Sequence, residues 1–177
     1  AGSDSVTTTG VGADLTGTEN ELKAAGIIFK DVETASLDGQ ALAGSDLTDT
    51  FSLQSASLAA NAATVLLANA IEFKNLSTTI DAKGDQDTVN GFAGVDWTLG
   101  GTNSVTSTNG YTFNNIEIVD VASQTLNGTA GADAFTVNSA AEVGADSIVF
   151  NNVAIVAADA GSDSVTTTGV GADLTGT

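Results

Sequence analysis

Apolar and polar residues alternate along this chain in short bursts, never for more than a few positions. Phe135-Thr136-Val137 and Ile116-Glu117-Ile118 carry the two-residue period of a half-buried strand. The clearest recurrence is an apolar-x-Phe tripeptide closed by Asn or Asp and an aliphatic residue. It runs Ile27, Phe29, Asp31, Val32; then Ile71, Phe73, Asn75, Leu76; then Tyr111, Phe113, Asn115, Ile116; then Ile148, Phe150, Asn152, Val153. The phenylalanines fall 44, 40 and 37 residues apart. A second recurrence is a Gly, then an Asp, then any residue, then an apolar one. Leu42-Ala-Gly44-Ser-Asp46-Leu-Thr-Asp49-Thr-Phe51 aligns with Leu126-Asn-Gly128-Thr-Ala-Gly131-Ala-Asp133-Ala-Phe135, with shorter forms at Gly84–Val89 and Gly161–Val165.

Each unit therefore reads as a Gly/Asp turn, a strand, a variable segment, the x-Phe strand and a further strand. The variable segment predicts a helical turn in two places. Thr18–Glu21 and Ser139–Glu142 match the spacing of a capping box, and Gly26 and Gly144 stand where such a helix would stop. The Ala-rich stretch Ser57–Ala70 predicts a longer helix. In the third unit Gly100-Gly101-Thr-Asn and Asn109-Gly110 are turn signals instead.

A longer period encloses these units. Residues 1–18 and 160–177 are identical, AGSDSVTTTGVGADLTGT, so the chain repeats after 159 residues. The expectation is an internal fragment of a longer tandem array: one 159-residue repeat with the next copy begun. Its units span approximately 27–70, 71–110, 111–147 and 148–177 continued into 1–26 of the next copy. Units of about 40 residues cannot bury a face alone, whereas stacking them buries a continuous core. This predicts an all-β fold, a β-solenoid of four units with short helical turns and two coils each, its phenylalanines forming an interior ladder. The alternative is an Ig-like β-sandwich, which also has short strands and frequent turns.

Composition narrows the function. The net charge is −18, from 22 acidic residues against four lysines. That surface disfavours nucleic acid, whose phosphates need cations, and anionic membranes. There is no Cys, His or Arg, which excludes disulfides, thiolate or imidazole metal sites and most nucleophile–base pairs. The expectation is that the chain is not an enzyme. Two-carboxylate glycoside chemistry is the remote exception, since some β-helices act on polysaccharides.

Asn127-Gly-Thr-Ala-Gly-Ala-Asp133-Ala-Phe135 resembles a degenerate nonapeptide of the RTX, or hemolysin-type calcium-binding, family. With Trp97-Thr-Leu99 and Phe113-Asn-Asn-Ile-Glu117, it also resembles units of giant bacterial secreted adhesins and surface-layer-like proteins. The resemblance covers residues 80–137 best. It implies secretion to the extracellular space or a bacterial cell surface, calcium-assisted folding, and a role in attachment or matrix building. The chain departs from RTX in carrying one such turn per unit rather than consecutive nonapeptides, so ions could be shared only between turns stacked in space.

The carboxylates in these turns, Asp4, Asp46, Asp49, Asp85, Asp87, Asp133 and Asp163, are the candidate calcium ligands, because calcium takes six to eight oxygens. The competing role is capping backbone amides within the turns. Trp97 and Tyr111, if exposed together, would stack on sugar rings; as single large residues in a repeat they would instead fill core gaps. Asn75, Asn114, Asn115, Asn151 and Asn152 suggest an asparagine ladder. Thr7–Thr9 and its copy Thr166–Thr168 resemble an ice-binding threonine array, but in one unit of four. The reading is a structural module of an extracellular fibre whose partners are neighbouring repeats and like chains. The alternative is a glycan- or surface-binding module repeated for avidity.

Overall fold

The computed structural model describes residues 2–54 and 66–169, and within them it is all strand and turn. The first strand is β1 (Ser5–Thr7). A three-strand antiparallel meander follows: β2 (Ala13–Leu15), β3 (Leu22–Ala24) and β4 (Ile27–Phe29). Two single strands, β5 (Thr34–Ser36) and β6 (Leu42–Ala43), lead to a second meander, β7 (Thr50–Leu53), β8 (Leu66–Ala68) and β9 (Ile71–Lys74). The pattern recurs as β10 (Thr79–Asp81), β11 (Thr88–Asn90) and the meander β12 (Trp97–Gly101), β13 (Ser104–Ser107) and β14 (Thr112–Asn114). It recurs again as β15 (Ile118–Asp120), β16 (Thr125–Asn127) and the meander β17 (Ala134–Ser139), β18 (Glu142–Ala145) and β19 (Ile148–Asn151). The strands β20 (Ile155–Ala157) and β21 (Ser164–Thr167) finish the described chain.

These strands form two facing sheets. One has eleven strands in the order β1-β5-β9-β8-β7-β11-β15-β19-β18-β17-β21; the other has ten, β20-β16-β12-β13-β14-β10-β6-β2-β3-β4. Every pairing between different coils is parallel, as in Ala35↔Phe73, Val89↔Val119 and Val119↔Phe150. The antiparallel pairings all lie inside meanders. Parallel coils stacked on one axis make a β-solenoid. An Ig-like sandwich is antiparallel throughout and is set aside.

The path between coils is unusual. From β5 the chain crosses to β6, returns as β7 three strands further on, then folds back through β8 to bring β9 beside β5. Each unit thus visits the sheets three times: single, single, meander. Three is odd, so successive meanders alternate between sheets. Phe29 and Phe113 therefore belong to the ten-strand sheet, and Phe73 and Phe150 to the eleven-strand sheet. The expected single phenylalanine ladder does not form. Instead Phe113 touches Phe51, Trp97 and Tyr111, with ring centroids 5.9, 6.1 and 6.2 Å apart in tilted contact.

The expected helical turns, Thr18–Glu21 and Ser139–Glu142, are instead hairpin turns that lead into the middle strands β3 and β18 of their meanders. The Ser-x-x-Glu spacing of Ser139 and Glu142 is equally that of a two-residue hairpin, and these two residues pair across the Ala140-Ala141 turn. Gly26 stops no helix. It shares with Ala25 a turn in which both residues have positive φ, 50° and 81°, the type I′ geometry that suits the twist of a hairpin. Asn69-Ala70 and Asp146-Ser147 form the same turn one and three units on. Gly144 lies within β18. Of the helix expected over Ser57–Ala70, Leu66–Ala68 is β8 and Asn69–Ala70 the turn after it, while residues 57–65 lie outside the described residues.

The alternating positions bury as a strand requires. Ile71 and Phe73 are buried while Glu72 between them is exposed, and Trp97 and Leu99 are buried on either side of Thr98. Five strands per unit in two sheets make more layers than the two coils expected. At ~4.8 Å per strand, ten layers per 159-residue period advance roughly 48 Å. Replacing Phe113 by Ala is expected to cost about 3–5 kcal/mol, since it empties the centre of the aromatic contact, against under ~0.5 kcal/mol for Lys23→Ala on the exposed face of β3. Urea unfolding of the two variants checks this.

Candidate functional site

At the Gly/Asp turns successive coils approach each other closely. A Cβ on Gly44 would run into the carbonyl oxygen of Ala82, and one on Gly128 would lie 2.5 Å from that of Ala158. Only glycine allows this approach. The Asp five residues later folds back over the turn. Asp49 Oδ2 accepts the Ser45 backbone N–H at 2.5 Å and its hydroxyl at 3.0 Å, and Asp49 Oδ1 accepts Asn69 Nδ2 at 2.8 Å. Asp133 Oδ2 accepts the Thr129 N–H at 2.6 Å, and the Thr129 hydroxyl lies 3.1 Å from both oxygens. Buried turns need their amides satisfied, and these carboxylates do it.

Stacking then links the turns into a ladder. The Asp49 N–H donates to Asp87 Oδ1 at 2.7 Å, and the Asp87 N–H donates to Glu117 Oε2 at 3.0 Å. The Asp133 N–H donates to Asp163 Oδ1 at 3.0 Å, and the Asp4 N–H to Glu33 Oε2 at 2.6 Å. In each step a carboxylate of one coil takes an amide of the coil before it. Stacking therefore unites Asp49 with Asp87 and Asp133 with Asp163. Asp49, Asp87 and Asp133 are buried, Asp163 is half-buried, and Asp4, Asp46 and Asp85 are exposed. Asp46 stays apart on the surface. Glu33 and Glu117 complete the ladder and were not among the candidates. Their signal was a Glu directly after the aliphatic residue that closes the Phe motif, at Val32-Glu33 and Ile116-Glu117.

Most of these oxygens are thus committed to amides and hydroxyls. Among the described residues no three acidic side chains converge as a cation cage would. The exception in the ladder is Asp87, whose Oδ2 is buried without a hydrogen-bond partner. Burial pushes its pKa up from 3.8 to about 6. The charges of Asp49, Glu117 and Asp85 push the same way, against the Asp49 N–H, which stabilises the anion. The folded chain therefore holds a proton on Asp87 at pH values where the unfolded chain has lost it. This group's contribution to stability falls as pH rises from about 4 to about 6 and stays low above that. In calcium-free buffer, Asp87→Asn is expected to raise the melting midpoint at pH 7 and to flatten that pH dependence between 4 and 6. A variant that follows the parent's pH profile would refute the assignment.

The aromatic pair has no surface to offer. Trp97 and Tyr111 are both buried, so they fill the core rather than stack on a sugar. The recurrent asparagines do not form one ladder. Asn75, Asn115 and Asn152, with Asp31, each occupy the left-handed region at φ 47–57° after the x-Phe strand, a conformation Asn and Asp tolerate better than most residues. Two of them also reach across coils, Asn115 Nδ2 to Asp81 Oδ1 at 2.7 Å and Asn152 Nδ2 to Asp120 Oδ2 at 3.0 Å. Asn114 instead accepts the Ser104 hydroxyl at 2.9 Å. No protein-family model, no curated protein and no solved structure matches this chain.

Proposed function

We propose that this chain is one repeat of a structural module that lengthens an extracellular or cell-surface fibre, of the kind found in bacterial adhesin stalks, matrix filaments or surface layers. The observation that carries the reading is the agreement between the sequence period and the stack. β21 lies 159 residues after β1 and has its sequence, and the two strands stand at opposite ends of the eleven-strand sheet. A repeat of this period adds whole layers to both sheets and returns to its starting point, so length follows from copy number. Stiffness follows from hydrogen bonds that run from coil to coil along the axis. The excess of negative charge keeps such a fibre soluble and discourages its sides from adhering.

The test is a chain of several consecutive repeats, imaged as single molecules. A uniform rod is expected, growing by roughly 48 Å per added repeat. Beads on a flexible string would defeat the reading.

Calcium belongs to this proposal at the acidic turns, where a cation would give the buried, unpartnered Asp87 Oδ2 a partner and offset the nearby charges of Asp49, Glu117 and Asp85. Calcium is then expected to raise the melting midpoint and a chelator to reverse the rise. An unchanged midpoint removes calcium from the proposal and leaves the stacking untouched.

A further inference from the structure

The solenoid leaves core positions open at both ends, which is apparent when equivalent positions are compared along the repeat. Two residues before the repeated Phe, Ile71, Tyr111 and Ile148 are buried, whereas Ile27 is 59% exposed. Phe73, Phe113 and Phe150 are fully buried, whereas Phe29 is half-buried. At the centre of the next strand Ala35, Ile80 and Val119 are buried and Val156 is only half-buried. One strand further, Leu42, Val89 and Leu126 are buried, yet Val165 is 61% exposed. The exceptions fall on β4, β20 and β21, which are all terminal strands of their sheets. Beside β4 the core opens as a groove of about 390 Å³ lined by Val6, Val11, Ala24, Ile27 and Phe29.

We propose that a second copy of this chain covers that groove end to end. In this joint β20 of one copy pairs in parallel with β4 of the next, and Ser164–Thr167 of the first takes the place of Ser5–Thr7 in the second. The register follows from three internal precedents. β9 pairs with β5 as Ala35↔Phe73, β14 with β10 as Ile80↔Phe113, and β19 with β15 as Val119↔Phe150. The fourth member of the series is Val156↔Phe29, flanked by Ile155↔Ile28 and Ala157↔Lys30.

The strand replacement follows from the layer count. Among the described residues the sheets have eleven and ten strands, because the eleven-strand sheet includes both copies of one strand, β1 and β21. If both stayed in place, one sheet would be a layer (~4.8 Å) thicker than the other, and β20 could not reach β4. Sharing the position gives ten strands in each sheet. Val165 then lies between Phe135 and Ala35, since Phe135 pairs with Val165 and Val6 with Ala35. The acidic ladder also continues through the joint. Asp163 of the first copy already accepts the Asp133 amide, and in the place of Asp4 its own N–H meets Glu33 of the second. Replacing a segment by an identical one from another protomer changes no local sequence preference, the condition that makes swapping cheap.

This inference rests on the tandem-repeat reading, and its test separates the two. The chain has no native cysteine, so Ile28→Cys and Ile155→Cys can be introduced on separate full-length chains. The two are refolded together at high concentration, in salt that screens their charge, and then oxidised. A disulfide-linked dimer containing one chain of each kind is expected, with little dimer from either chain alone. The unmodified chain is expected to sediment as a concentration-dependent series of end-to-end oligomers. Ile27→Lys, which places a charge on a side chain already exposed in the single copy, should leave only monomer while keeping its melting midpoint. Monomer at every concentration, or disulfides linking only like chains, would overturn the joint. If consecutive repeats in one chain still form a rod, the exchanged joint alone fails; if they form separate beads, the fibre reading fails with it.

Discussion

The hydrogen-bonded contact between one coil and the next is what the rest of this molecule depends on. A strand of three or four residues makes few hydrogen bonds and buries one or two side chains, and alone it would not stay folded. Ile80 is buried because Phe113 and Leu42 pair on its two sides, and the same holds for Val89 between Phe51 and Val119. Stability is a property of neighbours, as in other repeat architectures. Among the described residues the core accordingly stays open at both ends of the stack, where Ile27, Ile155 and Val165 are apolar and exposed.

That contact dictates which residues the corners can hold. Coils stacked at strand spacing leave no room for a Cβ at Gly44 or Gly128, and their tight turns leave amides that water cannot reach. The recurring Gly and Asp answer these two demands at adjacent points of one turn. The carboxylates then line up along the axis, which concentrates negative charge. Asp87, buried with one oxygen unpartnered, bears the cost of that arrangement as a raised pKa. The same geometry that makes the turns compact therefore buries one of their carboxylates, Asp87, without a full set of partners.

The odd number of sheet crossings in each unit has a second consequence. Because the meander alternates between sheets, the smallest unit that restores both sequence motif and sheet is a pair, and the 159-residue period contains two pairs. Each meander also steps backward along the axis before the chain goes on. Strands that pair in parallel between coils therefore lie about 30 to 40 residues apart in sequence, as Thr88 and Ile118 or Thr34 and Glu72 do. Neighbouring units are interleaved by this path rather than set one after another.

The amino-acid pattern alone favoured a solenoid over a sandwich, and it marked the outer strands of each meander, the recurring phenylalanines and the 159-residue period. These rest on alternation and recurrence, which hydrophobic burial imposes on any such chain. It also exposed the Asp and Gly turns as special, though not which role the carboxylates play there. The middle strands of the meanders were hidden because Ser139 and Glu142 have a spacing that a capping box and a two-residue hairpin share. Choosing between them needs the strands on either side, β17 and β19, to be present as partners. The pairing of Asp49 with Asp87 and the part played by Glu33 and Glu117 were hidden for a similar reason. Residues 30 or 38 positions apart meet only once the backward step of the meander sets the offset between coils. Local preference selects strands and turns, but which strand lies beside which is decided by the path of the chain between the sheets, and only the tertiary structure decides that.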